Sequence, residues 1–254
     1  MEMVLTAAFG LIIGSFLNVL GLRYHSGLSL SGRSRCQACN RALSPSELIP
    51  LVSFIFQGGR CRNCRARVSF QYPLVEAWTA VLFVSFAAAY GLSPVFVISA
   101  LVFSLYTVIA IYDIRHKVIP DSLSYLAVLL AAVKPIFLSD YSLLDWLSGP
   151  ILALLFFLVW ALSRGQAMGL GDAKLSFSVG VLLGAAEGFS AVIVAFWIGA
   201  LYGSSMLVIN RVYPLLRGVE KFTMKSEIPF APFIVLGAWL AAILGLDLLH
   251  VLPS

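Results

Sequence analysis

From Ala77 to Tyr112 the chain carries no Asp, Glu, Lys or Arg. That run is too long for a single spanning helix, since roughly 20 apolar residues cross a bilayer, and Gly91, Ser93 and Pro94 divide it into two spans. Composition agrees. The chain is 60% hydrophobic and 11% charged, with a mean hydropathy of +0.95, whereas soluble domains carry about 25% charged residues. Length per soluble domain is therefore the wrong ruler for this protein.

The gaps between charges give the other spans. Met3 to Leu22 is uncharged. It lacks a basic start and a small-residue cleavage site, so it reads as a retained first helix rather than a signal peptide. Pro120–Leu138, Asp145–Ser163, Gly188–Asn210 and Ile228–Leu246 are each near spanning length. Leu175–Ala186 is long enough only if the stretch from Gln166 is added. The expected fold is an all-α polytopic membrane protein with eight transmembrane helices and both termini on one side. Residues 1–22 form the first helix, 23–72 a small cytoplasmic cysteine domain, and 73–254 a seven-helix core.

Basic residues orient this map, because they concentrate on the cytoplasmic side. With Met1 outside, every Lys and Arg falls in an inside loop except Lys134. Both termini are then expected outside the cytoplasm. The formal charge of +5 is accounted for by basic loops on an anionic leaflet, and no nucleic acid is needed to explain it.

The long polar segment from Arg23 to Gln71 holds all four cysteines, as Cys36-Gln37-Ala38-Cys39 and Cys61-Arg62-Asn63-Cys64. Two CxxC pairs at such a spacing present four thiolates to one tetrahedral zinc ion. Flanking arginines favour the thiolates. The alternatives are two disulfides or idle thiols, and a cytoplasmic location disfavours disulfides. Four thiolates leave no open position for water, so the zinc is expected to be structural.

Two acids stand at the ends of apolar stretches: Asp113, and Asp172 within Gly169-Leu170-Gly171-Asp172-Ala173-Lys174. An ionisable group at that depth is expensive and marks a candidate site. Two carboxylates that approach closely share a proton, so one serves as base and the other as acid toward a water and a peptide carbonyl. The glycines predict a wet cleft or flexible loop bringing Asp172 to Asp113, since non-helical backbone inside a bilayer must be buried or line water. The opposing reading is that Asp172 caps the following helix and that Asp121, after Pro120, caps its own. His116, between Arg115 and Lys117, reads as a solvated loop residue. No GxGxxG, P-loop, HExxH or nucleophile-elbow motif is present.

With these features together, the chain resembles the type IV prepilin peptidases, also called prepilin leader peptidase/N-methyltransferases. Gly14-Ser15-Phe16-Leu17-Asn18-Val19 is similar to the family's first-helix signature. Arg35-Cys36 through Cys39 and Arg60-Cys61-Arg62-Asn63-Cys64 resemble its cysteine domain, and Tyr72-Pro73-Leu74-Val75-Glu76 the opening of its second span. Asp113 with Ile119-Pro120-Asp121, and Gly169 to Lys174, resemble its aspartate motifs, and Ile228-Pro229-Phe230-Ala231-Pro232-Phe233 its last-span motif. Gln37 and Ala231 depart from the common proline and glycine.

The resemblance implies a bacterial inner-membrane aspartic endopeptidase whose active site faces the cytoplasm. It implies removal of the short basic leader of type IV prepilins and type II secretion pseudopilins after a glycine. It also implies N-methylation of the new N-terminal residue from S-adenosylmethionine. It assigns catalysis to Asp113 and Asp172, and metal binding to Cys36, Cys39, Cys61 and Cys64. Glu47, Glu220 and Glu227 are candidate receivers of leader lysines. Two other readings remain open at this point. One is a general intramembrane GxGD-type aspartyl protease without methyltransferase activity. The other is a non-enzymatic transporter or zinc sensor, in which the two acids form a proton pathway.

Overall fold

The computed structural model describes residues 1–25, 32–138, 141–212 and 227–251. The described residues form helices α1 (Glu2–Arg23), α2 (Val52–Phe56), α3 (Gln71–Tyr90), α4 (Pro94–His116), α5 (Asp121–Ala131), α6 (Leu143–Leu162), α7 (Leu170–Val212), α8 (Ala231–Leu244) and α9 (Leu248–Val251). Five of them, α1, α3, α4, α6 and α7, are long and apolar enough to cross a membrane. The chain is a multi-pass membrane protein, and it divides into two compact units, Met1–Ile111 and Tyr112–Ser254.

In the first unit, α1 packs on α3 through small residues. A Cβ on Gly14 would lie 2.7 Å from the Glu76 Cα, and one on Gly10 would lie 2.8 Å from the Ala80 Cα. Small residues four apart are the device by which helices approach closely where lipid removes the hydrophobic drive. Asn18 is fully buried at this seam. Its amide donates to the Tyr72 carbonyl at 3.1 Å and to the Gly14 carbonyl at 3.3 Å, which meets the requirement that a buried amide be bonded. The Trp78 indole N–H donates to Thr107 Oγ1 at 3.2 Å, joining α3 to α4.

In the second unit, α7 is a hairpin rather than a rod. Gly184, at φ +82°, breaks its ladder. A Cβ on Gly188 would lie 3.2 Å from the Gly180 Cα, although eight residues of straight helix would separate the two by about 12 Å. The chain therefore turns back on itself, as the separate spans before Ala186 and after Gly188 predict. Groups freed at the turn find partners. Asp145 Oδ1 accepts the Ala185 N–H at 2.9 Å, Tyr141 O–H donates to the Val181 carbonyl at 2.6 Å, and Ser148 O–H donates to the Gly180 carbonyl at 2.9 Å.

One expectation is corrected. The stretch 120–138 is helical only to Ala131, followed by a short 3-10 turn from Lys134 to Phe137. Lys134 is buried, and the charge of Glu187 acts on it.

α6 meets the hairpin at Gly149, where a Cβ on Gly180 would lie 2.6 Å from the Gly149 Cα and nitrogen. The obstacle is backbone and cannot rotate away. Gly180→Ala is therefore expected to destabilise the fold by about 2 kcal/mol, the usual cost of overpacking. Denaturant unfolding in detergent micelles checks this, and unchanged stability would mean the two helices can move apart freely.

Candidate active site and metal centre

Asp113 lies one turn before the end of α4 and is 5% exposed; Asp172 lies in the first turn of α7 and is 7% exposed. They come from distant segments but sit within electrostatic reach, so that the charge of Asp113 acts on Asp172. Each carboxylate has one oxygen held by backbone. Asp113 Oδ2 accepts the Ala231 N–H at 3.1 Å, at the start of α8. Asp172 Oδ2 accepts the Gly169 N–H at 3.2 Å. Both therefore use the free amides and positive end of a helix N-terminus. Among the described residues, Oδ1 of each receives no protein donor.

The predicted glycine loop around Asp172 is corrected: α7 begins at Leu170, so Asp172 is already helical. Its carboxylate reaches back to the Gly169 N–H, as the acid of a capping box does, so the capping and site readings of this residue are compatible. Gly171 serves close packing instead of flexibility, because a Cβ there would lie 2.7 Å from the Ile119 Cβ.

Asp121 does not cap α5; the residue before that helix is Pro120, and no side chain caps it. Its carboxylate instead accepts from Lys174 Nζ at 2.6 Å, with Lys174 also 5.6 Å from the centroid of the Tyr125 ring. This pair ties the start of α5 to the first turn of α7, two residues from Asp172. Exposed pairs contribute about 1 kcal/mol or less. Asp121→Lys or Lys174→Asp alone is accordingly expected to lower turnover by up to about fivefold, with the double charge reversal recovering most of it. Turnover measured on all three variants tests the tie, which falls if the double variant is no better than the singles.

The sulfurs of Cys36, Cys39, Cys61 and Cys64 lie within 4.8 Å of one another, with Cys36 and Cys64 at 3.8 Å. A tetrahedral zinc with bonds of about 2.3 Å needs sulfur–sulfur edges of about 3.8 Å. No disulfide joins them. The two knuckles are built alike. The Asn40 and Arg65 N–H groups donate to the Cys36 and Cys61 carbonyls, and both residues have positive φ. Bridges between Arg35 and Ala42 and between Arg60 and Arg67 close the two turns.

Thiol electrostatics also suit a metal. Backbone N–H groups of Cys64 and Asn63 pull the Cys61 thiol down to about 6. The N–H of Arg41, then the Asn63 amide, lower Cys39. For Cys64 the Ala66 N–H pulls the same way, but desolvation and the neighbouring sulfurs push it up to about 11. The neighbouring sulfurs oppose ionisation of Cys64 unless a cation joins them, and the four residues fit a structural zinc.

Of the acids expected to meet leader lysines, Glu47 is corrected. It is buried, bonded to Ser44 and paired with Arg41. The Ser44 N–H, and then its hydroxyl and Arg41, hold its carboxyl below the usual range. Glu227 is exposed, 3.9 Å from Lys117. Glu220 lies outside the described residues, as do Arg217, Lys221 and Lys225 of the expected inside loop. His116 is exposed and stacks on Tyr112.

Residues 8–90 match the family model for the bacterial peptidase A24 N-terminal domain, and residues 100–204 that for the type IV leader peptidase family. A prepilin leader peptidase/N-methyltransferase of Bacillus subtilis is 36% identical over 239 residues, covering 93% of this chain and 92% of the relative. Proteins of the same name from Aeromonas salmonicida and Pseudomonas aeruginosa are 30% and 28% identical, covering 93% and 94% of this chain and 89% of each relative. No solved structure matches the chain. Two family models that together cover most of the chain, and relatives that match it nearly end to end, point the same way: the chain belongs to the type IV leader peptidase family.

Proposed function

We propose that this protein is a membrane aspartyl endopeptidase that removes the short basic leader of type IV prepilins and type II secretion pseudopilins after a glycine. The observation that carries the reading is the pair Asp113 and Asp172, each buried, each with one oxygen held by a backbone N–H, and each with its other oxygen unclaimed by the described residues. One carboxylate takes a proton from water while the protonated partner polarises the scissile carbonyl. When the tetrahedral intermediate collapses, the proton is returned to the leaving amine. The protons belong to the pair, so neither aspartate has a fixed role.

The same reading places the site at the cytoplasmic face of the inner membrane, with eight spans and both termini outside. It is supported by the bias of basic residues and by the helices found on the predicted spans. Zinc on Cys36, Cys39, Cys61 and Cys64 ties the two knuckles together and takes no part in hydrolysis. The relatives' name includes N-methyltransferase, and we extend that activity to this chain. S-adenosylmethionine supplies an electrophilic methyl group when bound; no nucleotide-type glycine motif marks a site for it, so no residue is assigned to the donor.

Mass spectrometry of a prepilin incubated with the purified protein tests both activities. Leader loss alone is expected without the donor, and leader loss plus one methyl group with it. An intact leader removes the peptidase reading, and a cleaved but unmethylated product in the presence of donor removes the methyltransferase half.

A further inference from the structure

The short helix α2 belongs to the cysteine segment, yet none of its residues is buried. Ile55 is 73% and Phe56 83% exposed, and Val52 is also exposed. Such a cluster on a water-facing domain would be a liability. Two contacts show where it sits along α3. The Leu51 N–H, just before α2, donates to Glu76 Oε2 at 2.8 Å. Phe54, inside α2, packs edge-on against Phe70 at 6.1 Å between ring centroids, and Phe70 immediately precedes α3.

Glu76 is five residues into α3, about 7.5 Å along its axis. By that depth the outer face of α3 already presents Leu74, an exposed leucine on a spanning helix. α2 is therefore held beside the start of a membrane helix, between Phe70 and Glu76. Behind it come Arg60, Arg62, Arg65 and Arg67, all exposed.

We propose that α2 is an interfacial wedge. Ile55 and Phe56 enter the headgroup–acyl boundary of the cytoplasmic leaflet, and the four arginines rest on anionic lipid headgroups. Apolar residues beside a basic cluster are the composition of surface-bound membrane segments. The occupant is lipid because the same segment is tethered to a spanning helix at Glu76 and to Phe70 at its mouth, and because its charge is opposite to that of the leaflet. This rests on α3 spanning the membrane and on the cytoplasmic orientation of the segment, and not on the catalytic reading.

The test uses the full chain with Phe56→p-benzoylphenylalanine, reconstituted in nanodiscs containing phosphatidylglycerol and irradiated. The expected product is a peptide containing residue 56 that carries the mass of one phospholipid, with or without prepilin present. The same probe at Ile55 guards against a local fault of the first variant and is expected to give the same adduct. Replacing phosphatidylglycerol with phosphatidylcholine is expected to lower the yield; an unchanged yield removes the arginine–headgroup half of the proposal. An adduct to prepilin that displaces the lipid adduct would make this surface a substrate-docking face. Absence of any adduct at both positions would place α2 in water. Either result overturns the wedge.

Discussion

Asp113→Asn and Asp172→Asn are each expected to reduce prepilin cleavage by on the order of 10⁴-fold while leaving the protein folded. The magnitude follows from the way acid and base act as one unit, so that losing either removes nearly the whole chemical advantage. Asparagine preserves shape and still offers a carbonyl oxygen to the Ala231 or Gly169 N–H, so the backbone contacts survive and only proton transfer is lost. Single-turnover cleavage of a purified prepilin, beside thermal unfolding of each variant, separates the two effects. Substantial activity in either variant removes that aspartate from the mechanism. Loss of activity together with loss of fold would instead show that the carboxylates hold α4, α7 and α8 in place.

Removing zinc is expected to unfold the cysteine segment while leaving the membrane helices intact. That segment has little core of its own: Cys61 and Glu47 are buried, but Ile49, Val52, Ile55 and Phe56 are not. Small metal domains of this kind are folded with the ion and unfolded without it. Cys61→Ser should weaken zinc binding by more than the roughly 10–100-fold lost on removing a partner outside the ligand set. Metal analysis of protein purified under reducing conditions is expected to give one zinc per chain. Tryptic digestion after chelation is expected to cut among Arg60, Arg62, Arg65 and Arg67 and to spare α1 and α3. Protein free of zinc and equally resistant to trypsin would refute the metal centre.

Much of this fold could be read from charge alone, because a bilayer penalises each unpaired charge and so writes its boundaries into the sequence. The first helix was expected at Met3–Leu22 and is found at Glu2–Arg23. The four cysteines converge because two like knuckles are set by local backbone turns, which spacing reports well. The partners of individual charged groups were not legible. Asp121 pairs with Lys174, and Glu47 with Arg41, through contacts that depend on side-chain direction and neighbouring backbone. The role of Gly171 was not legible either. A glycine leaves the same mark in sequence whether it frees a loop or admits a neighbour, and Gly171 admits Ile119.

Asp113 and the amide it holds at Ala231 are separated by 118 positions. Helices enter a membrane in the order of their synthesis, so the first aspartate is inserted long before the backbone group that orients it. A nascent chain that has made only α1 to α7 thus contains both acids but not their finished geometry. The hydrogen bond that holds Asp113 can form only once the start of α8 has been made.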